Sequence, residues 1–149
     1  MKKNFDITKI SRIVGILAVV ILFVSAYLPW AHIYQNDSMK ATLTGMNTIS
    51  SSYKPALLSL IFGVLFILTV FIYKLWVKIA GVLFGVVVIA WGVNVYSSFY
   101  SHATQMFSPT RFTQYSSDTA FGLYIFLAAS VLVLAASLTP YFPEKYRKE

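Results

Sequence analysis

The stretch IAGVLFGVVVIAWGVNVYS, from Ile79 to Ser97, decides the fold. It holds no Asp, Glu, Lys or Arg, and its apolar residues fall on every side of a helix rather than along one stripe. A helix rises 1.5 Å per residue, so about 20 such residues cross the hydrocarbon of a bilayer. Three further runs share the property: Ile13 to Ala31, Pro55 to Tyr73 and Thr119 to Pro143. The expected fold is an all-α membrane protein, a four-transmembrane-helix bundle with spans at approximately 13–30, 55–73, 79–97 and 119–139. Residues 1–149 then form a single integral membrane domain, with no room left for a separate soluble one.

Composition agrees. Only 11% of residues are charged, against about 25% in a soluble domain. Cysteine is absent, which excludes a disulfide, a thiolate metal site and dithiol redox chemistry. Four-helix quinone-linked disulfide-forming enzymes are therefore excluded despite their similar size. The net charge of +7 lies beside the apolar runs, where it directs topology and meets anionic headgroups. There is no basic stripe interleaved with aromatics, so no nucleic-acid partner is expected. Val24-Ser25-Ala26 resembles a leader cleavage site, but the apolar run continues through Leu28, Pro29 and Trp30. That is longer than a leader core, and the segment is read as an uncleaved anchor.

The basic residues set the orientation. Lys2, Lys3, Lys9, Arg12, Lys74, Lys78, Lys145, Arg147 and Lys148 fall on one side, and Lys40, Lys54 and Arg111 on the other. Nine against three predicts cytoplasmic termini, a tight cytoplasmic turn at Lys74-Leu75-Trp76-Val77-Lys78 and two longer outer loops. In a bacterium this is the cytoplasmic (inner) membrane.

No span carries an Asp, Glu, Lys or Arg side chain. A charge at a helix centre costs about 2.5–3.5 kcal/mol on the insertion scale, and where one is present it usually has a task. Proton-coupled export, ion pumping, voltage sensing and intramembrane proteolysis by paired Asp or a Ser/His dyad lack their residues. There is also no GxSxG, HExxH or phosphate-cradling loop, so no catalytic residue, no cofactor-binding residue and no enzyme activity is expected.

Small residues are the positive signal. Gly81 and Gly85 form a GxxxG element, and Gly92 follows near the same face. Ser59 and Gly63 are four apart; Ala128 and Ala135, and Ala129 and Ala136, are seven apart. Helices in lipid associate through close packing, which small residues allow. These faces either pack the bundle internally or, at Gly81, Gly85 and Gly92, dock a partner subunit. Asn94 is the most polar side chain well inside a span and Ser59 lies at similar depth. A hydrogen bond between them is expected; contact of Asn94 with a ligand is the alternative.

In the first outer loop Met39, Ala41 and Leu43 alternate with Lys40, Thr42 and Thr44. Period two predicts a short half-buried strand, ended by Gly45, in a cap over the bundle. Five Ser or Thr residues between Thr44 and Ser52 form the return to the second span, and Asn36-Asp37-Ser38 matches a glycosylation sequon. His32, His102, Asp37 and Asp118 share the outer side, but without HxxxH or HxH spacing they are read as interfacial rather than as a metal site. Arg111 and Asp118 are a candidate exposed ion pair. Tyr27, Trp30, Tyr34, Tyr96 and Tyr100 read as an outer aromatic belt.

Leu28-Pro29-Trp30 followed by Leu43-Thr44-Gly45-Met46 resembles small uncharacterised bacterial four-transmembrane proteins whose first helix ends in a Leu-Pro-Trp element. The Trp-then-Gly order and the larger outer loops are also similar to the claudin and peripheral-myelin-protein superfamily. The Gly-Leu-Trp of that superfamily is here Thr44-Gly45-Met46, and its loop cysteines are absent. Neither resemblance implies an enzyme or a cofactor, and adhesion does not carry over.

The function expected is a non-catalytic accessory or structural membrane subunit. Its partners are membrane lipids and other membrane subunits or a second copy, met through Gly81, Gly85 and Gly92 in the membrane and Trp30, Thr44 and Gly45 outside. The alternative is binding or transport of a lipid or small apolar ligand in a cleft lined by Ser59 and Asn94 and open to the outer leaflet. A pore-forming or immunity-type protein ranks third, and the uncharged spans argue against an ion-selective pore.

Overall fold

A computed structural model of the chain describes residues 7–35, 38–46, 54–72, 74–106 and 115–138. The element order is α1 (Ile7–Tyr27), β1 (Pro29–Gln35), β2 (Ser38–Thr44), α2 (Leu57–Val70), α3 (Leu75–Met106), β3 (Tyr115–Thr119) and α4 (Phe121–Leu138). The chain is mostly helical, as expected, with one small sheet. Three helices are long and apolar enough to cross a membrane: Lys9–Tyr27, Leu75–Ser97 and Phe121–Leu138. The fourth, α2, has 14 helical residues. Pro55 and Ala56 form a turn before it. Phe71 and Ile72 leave the helix at its other end.

Packing runs around a ring, α1 on α4, α4 on α3, α3 on α2 and α2 on α1, so α1 and α3 lie on a diagonal. The core contains Val19, Leu22, Phe66, Val88, Leu123, Phe126 and Val133, with side chains outside it such as Leu17, Leu83 and Leu132 exposed. This reverses nothing about amphipathicity: the outer surface is as apolar as the core, as a hydrocarbon solvent allows.

The sheet order is β2-β1-β3, both pairs antiparallel. The strand expected at Met39–Thr44 is β2, with Gly45 just past its end. β1 and β3 were not expected. Nor was the helical start at Leu75: the turn between α2 and α3 is tighter than Lys74–Lys78, and Leu75 to Lys78 already belong to α3. α3 also runs past Ser97 to Met106, a projection that the lack of charge before Arg111 allows.

Arg111, Asn36, Asp37 and the return at 47–53 lie outside the described residues, as do Lys2, Lys3, Lys145, Arg147 and Lys148. For His102 and Tyr100 only the helical backbone is described.

Candidate functional site: the capped end and the glycine seam

Pro29 creates the local problem that organises the capped end. The carbonyl of Ser25 in the last turn of α1 would accept the N–H of residue 29, and proline has none. Leu28 N–H reaches it at 3.2 Å. The indole Nε1–H of Trp30 supplies the missing donor at 2.7 Å. A shift in the β1–β2 register between Pro29 and Ala31 leaves Trp30 as an extra residue, and the bulge turns both Trp30 and Ala31 inward. Trp30 is 0% exposed and stacks at a tilt on Phe126 of α4, with ring centroids 4.7 Å apart. Its carbonyl accepts the N–H of Ala120 at 2.8 Å, tying β1 to the start of α4.

Gly45 completes the arrangement. A Cβ there would lie 2.5 Å from Trp30 Cζ2 and 2.8 Å from Ala56 Cβ, so only glycine lets the chain pass under the indole. The Gly45 carbonyl accepts the N–H of Ala56 at 3.0 Å, fixing the approach to α2. Met46 N–H donates to Thr44 Oγ1 at 3.3 Å. Trp30 and Gly45 are buried and Thr44 is half-buried. The aromatic-belt reading of Trp30, and its reading as an outer contact with Gly45, are therefore corrected: the indole is consumed inside the chain as a donor and a packing block. Tyr27, at 65% exposed, does face outward at the end of α1.

A second tryptophan, given no role in the sequence reading, repeats the device. Trp91 Nε1–H of α3 donates to the carbonyl of Pro55 at 2.8 Å, sealing the start of α2. Its signal was available: an indole N–H within an apolar span needs an acceptor.

The α3 glycines form a seam. A Cβ on Gly81 would stand 2.6 Å from Thr69 Oγ1 of α2, and one on Gly85 2.6 Å from Ser137 Oγ of α4. One on Gly92 would stand 3.1 Å from Ser130 Oγ of α4. Each glycine thus faces a hydroxyl residue of a neighbouring helix. The hydroxyls turn back to their own helices: Thr69 to Phe66 O at 2.6 Å, Ser137 to Leu134 O at 2.6 Å and Ser130 to Phe126 O at 2.9 Å. Gly81, Gly85 and Gly92 are buried within the chain, where they pack internally, the first of the two roles expected for them.

Ser59 and Asn94 do not meet. Ser59 is 0% exposed and its Oγ has no hydrogen-bond partner, while Asn94 is exposed on α3. The acceptor a helical serine commonly takes, four residues back, is the Pro55 carbonyl already bound by Trp91. The interhelical bond expected between them is absent.

On the outer surface of the sheet His32 is opposite Thr42 in β2 and Asp118 in β3. Its Nδ1 lies 3.3 Å from Thr42 Oγ1, and its ring meets Tyr34 edge-on at 6.5 Å. Among the described residues no three His, Cys, Asp or Glu side chains gather as metal ligands.

No protein-family profile, curated protein or solved structure matches the chain.

Proposed function

We propose that the protein is a four-span membrane protein, with α2 as the short fourth span, that acts as a non-catalytic structural or accessory subunit. In this reading the uncharged run Pro55 to Tyr73 carries α2 through the bilayer beyond its helical residues. The end bearing Lys9, Arg12, Lys74 and Lys78 is cytoplasmic and the sheet caps the outer end. One observation carries the reading. Among the described residues, four of the five buried polar groups, Ser11, Ser25, Ser130 and Ser137, are hydroxyls bonded to backbone carbonyls, the exception being Ser59, an arrangement that builds a scaffold.

Because the glycine seam is used internally, lateral partners meet the exposed apolar ridges instead. These include Leu17 and Val24 of α1, Leu83 and Val93 of α3 and Val131 of α4. The test is extraction of the full chain from its native membrane in mild detergent. Migration as a stoichiometric part of a larger assembly is expected. A monodisperse monomer from the same membrane, with no cross-linkable neighbour, overturns the reading.

A further inference from the structure

Beneath the sheet, exposed tyrosines mark a rim on three helices: Tyr27 of α1, Tyr96 of α3 and Tyr124 of α4. Tyr96 and Tyr124 meet at a tilt with ring centroids 6.1 Å apart, so α3 and α4 reach the rim together. A Cβ on Gly122 would stand 2.8 Å from the Leu28 Cβ, which brings the end of α1 to the start of α4. A phenol ring suits the boundary between acyl chains and water, being apolar in its body and polar at its tip. The first uncharged run continues past this rim, but Pro29, Trp30 and Ala31 leave the helix for β1.

At the other end the limit of the apolar surface is stepped. Lys78 lies about 27 Å from Tyr96 along α3, close to the thickness of a bilayer's hydrocarbon, about 30 Å. On α1 the limit is Arg12, about 22 Å from Tyr27. Ser137 of α4 faces Gly85 of α3, and Ser11 Oγ donates to the Ala136 carbonyl at 3.0 Å. Arg12 therefore stands near the level of Gly85, about 10 Å further toward the sheet than Lys78. The described helix of α4 runs about 21 Å from Tyr124 to Leu138. The face made by α1 and α4 is thus the thin one, and tilting either helix only shortens it. Arg12 is half-buried, which limits how far its stem can snorkel outward.

We propose that the bilayer thins beside the α1–α4 face, and that this face takes phospholipids with short acyl chains. The inference rests on the membrane reading above. Exposed Ile13, Leu17 and Val24 of α1 and Val131 of α4 give those chains their apolar surface. Longer chains bring hydrocarbon to the Arg12 charge, or compress to avoid it, at a cost that grows with each ångström of mismatch. Chain length, rather than headgroup, is what the surface selects.

The test places the full chain in vesicles of phosphatidylcholine carrying dimyristoleoyl, dipalmitoleoyl, dioleoyl or dierucoyl chains, and reads the thermal midpoint in each. The midpoint should be highest in the dimyristoleoyl or dipalmitoleoyl lipid and about 5 °C lower in the dierucoyl one, the shift expected for several ångströms of mismatch. R12L carries the apolar surface of α1 on to Lys9 and should move the optimum to the dioleoyl lipid, while R12K should leave it in place. K74L acts on the face that is already long and should also leave it in place. A change of packing alone would lower every midpoint without moving the optimum. A midpoint highest in the dioleoyl or dierucoyl lipid, or equal in all four, overturns the proposal whether or not R12L folds. An optimum that R12L leaves unmoved in a folded chain, or that K74L moves, overturns the assignment to the α1–α4 face. Failure of the chain to enter vesicles of any chain length removes the membrane reading itself, a result distinct from entry with the wrong optimum.

Discussion

Gly85 of α3 and Ser137 of α4 are so close that a Cβ on Gly85 would stand 2.6 Å from the Ser137 hydroxyl and 3.3 Å from the Leu134 Cα. The second contact is backbone and cannot rotate away. G85A is therefore expected to force α3 and α4 apart at a cost of about 1–3 kcal/mol, and G85L to prevent assembly of the bundle. Thermal midpoints in mild detergent check this. S137A should recover part of the G85A loss, since it removes the hydroxyl but leaves Leu134 in place; a strictly additive double variant contradicts the geometry.

Glycines elsewhere should rank by what surrounds them. A Cβ on Gly122 would meet the Pro29 carbonyl oxygen at 2.5 Å and the Leu28 carbonyl carbon at 3.1 Å. On Gly63 its nearest neighbour would be the Val19 Cγ1 at 3.3 Å. G122A should lower stability well beyond G63A, because a valine methyl can yield and a backbone carbonyl cannot. Equal midpoints for the two variants would contradict this placement of α4 against the α1–β1 corner.

Loss of the Trp30 indole should have two separable effects. W30F keeps a ring against Phe126 but leaves the Ser25 carbonyl with only the 3.2 Å bond from Leu28 N–H, a loss of about 1–3 kcal/mol. W30A adds a cavity and should cost about 3–5 kcal/mol. P29A restores the N–H whose absence the indole covers, so W30F should cost less in that background. Denaturation of the four variants measures the coupling.

These residues show what the sequence made legible. Lack of charge over about 20 residues marks α1, α3 and α4 at once, since hydrocarbon imposes that requirement on every side of a helix. β2 was legible because Ala41 and Leu43 face the core while Thr42 faces out. β1 carries the same alternation, with Ala31 and Ile33 buried and His32 and Tyr34 half-exposed. The bulge after Pro29 broke its period, and the apolar run of α1 extended into it. β3 reads Tyr-Ser-Ser-Asp-Thr, with no apolar alternation, because an edge strand here is specified by backbone pairing. The glycines were visible as a seam, but their partners Thr69, Ser130 and Ser137 were not, since ring order is not written in any one span.

Ser59→Ala is expected to be neutral or slightly stabilising. The hydroxyl is buried without a partner, so its removal relieves a desolvation cost and breaks no bond. A loss of more than about 1 kcal/mol, the worth of one hydrogen bond, would mean that the oxygen is satisfied by a buried water. Thermal denaturation decides.

Topology can be read with no background, because the chain has no cysteine. Ser38 and Lys74 are both exposed, at opposite ends of the fold. In intact cells S38C should react with an impermeant maleimide and K74C should react only after permeabilisation. The reverse pattern inverts the orientation.

The pairing of Tyr34 with Ser116 sets an order on synthesis. The middle strand of the cap leaves the ribosome early, while the strand on one side of it, and Ala120, whose N–H donates to the Trp30 carbonyl, are translated only after α3 has been made. Until then Trp30 lacks Phe126 and β1 keeps an open edge. The cap is thus a late lock on a bundle assembled beneath it, and a nascent chain arrested within α3 would expose that edge to proteases and to other strands.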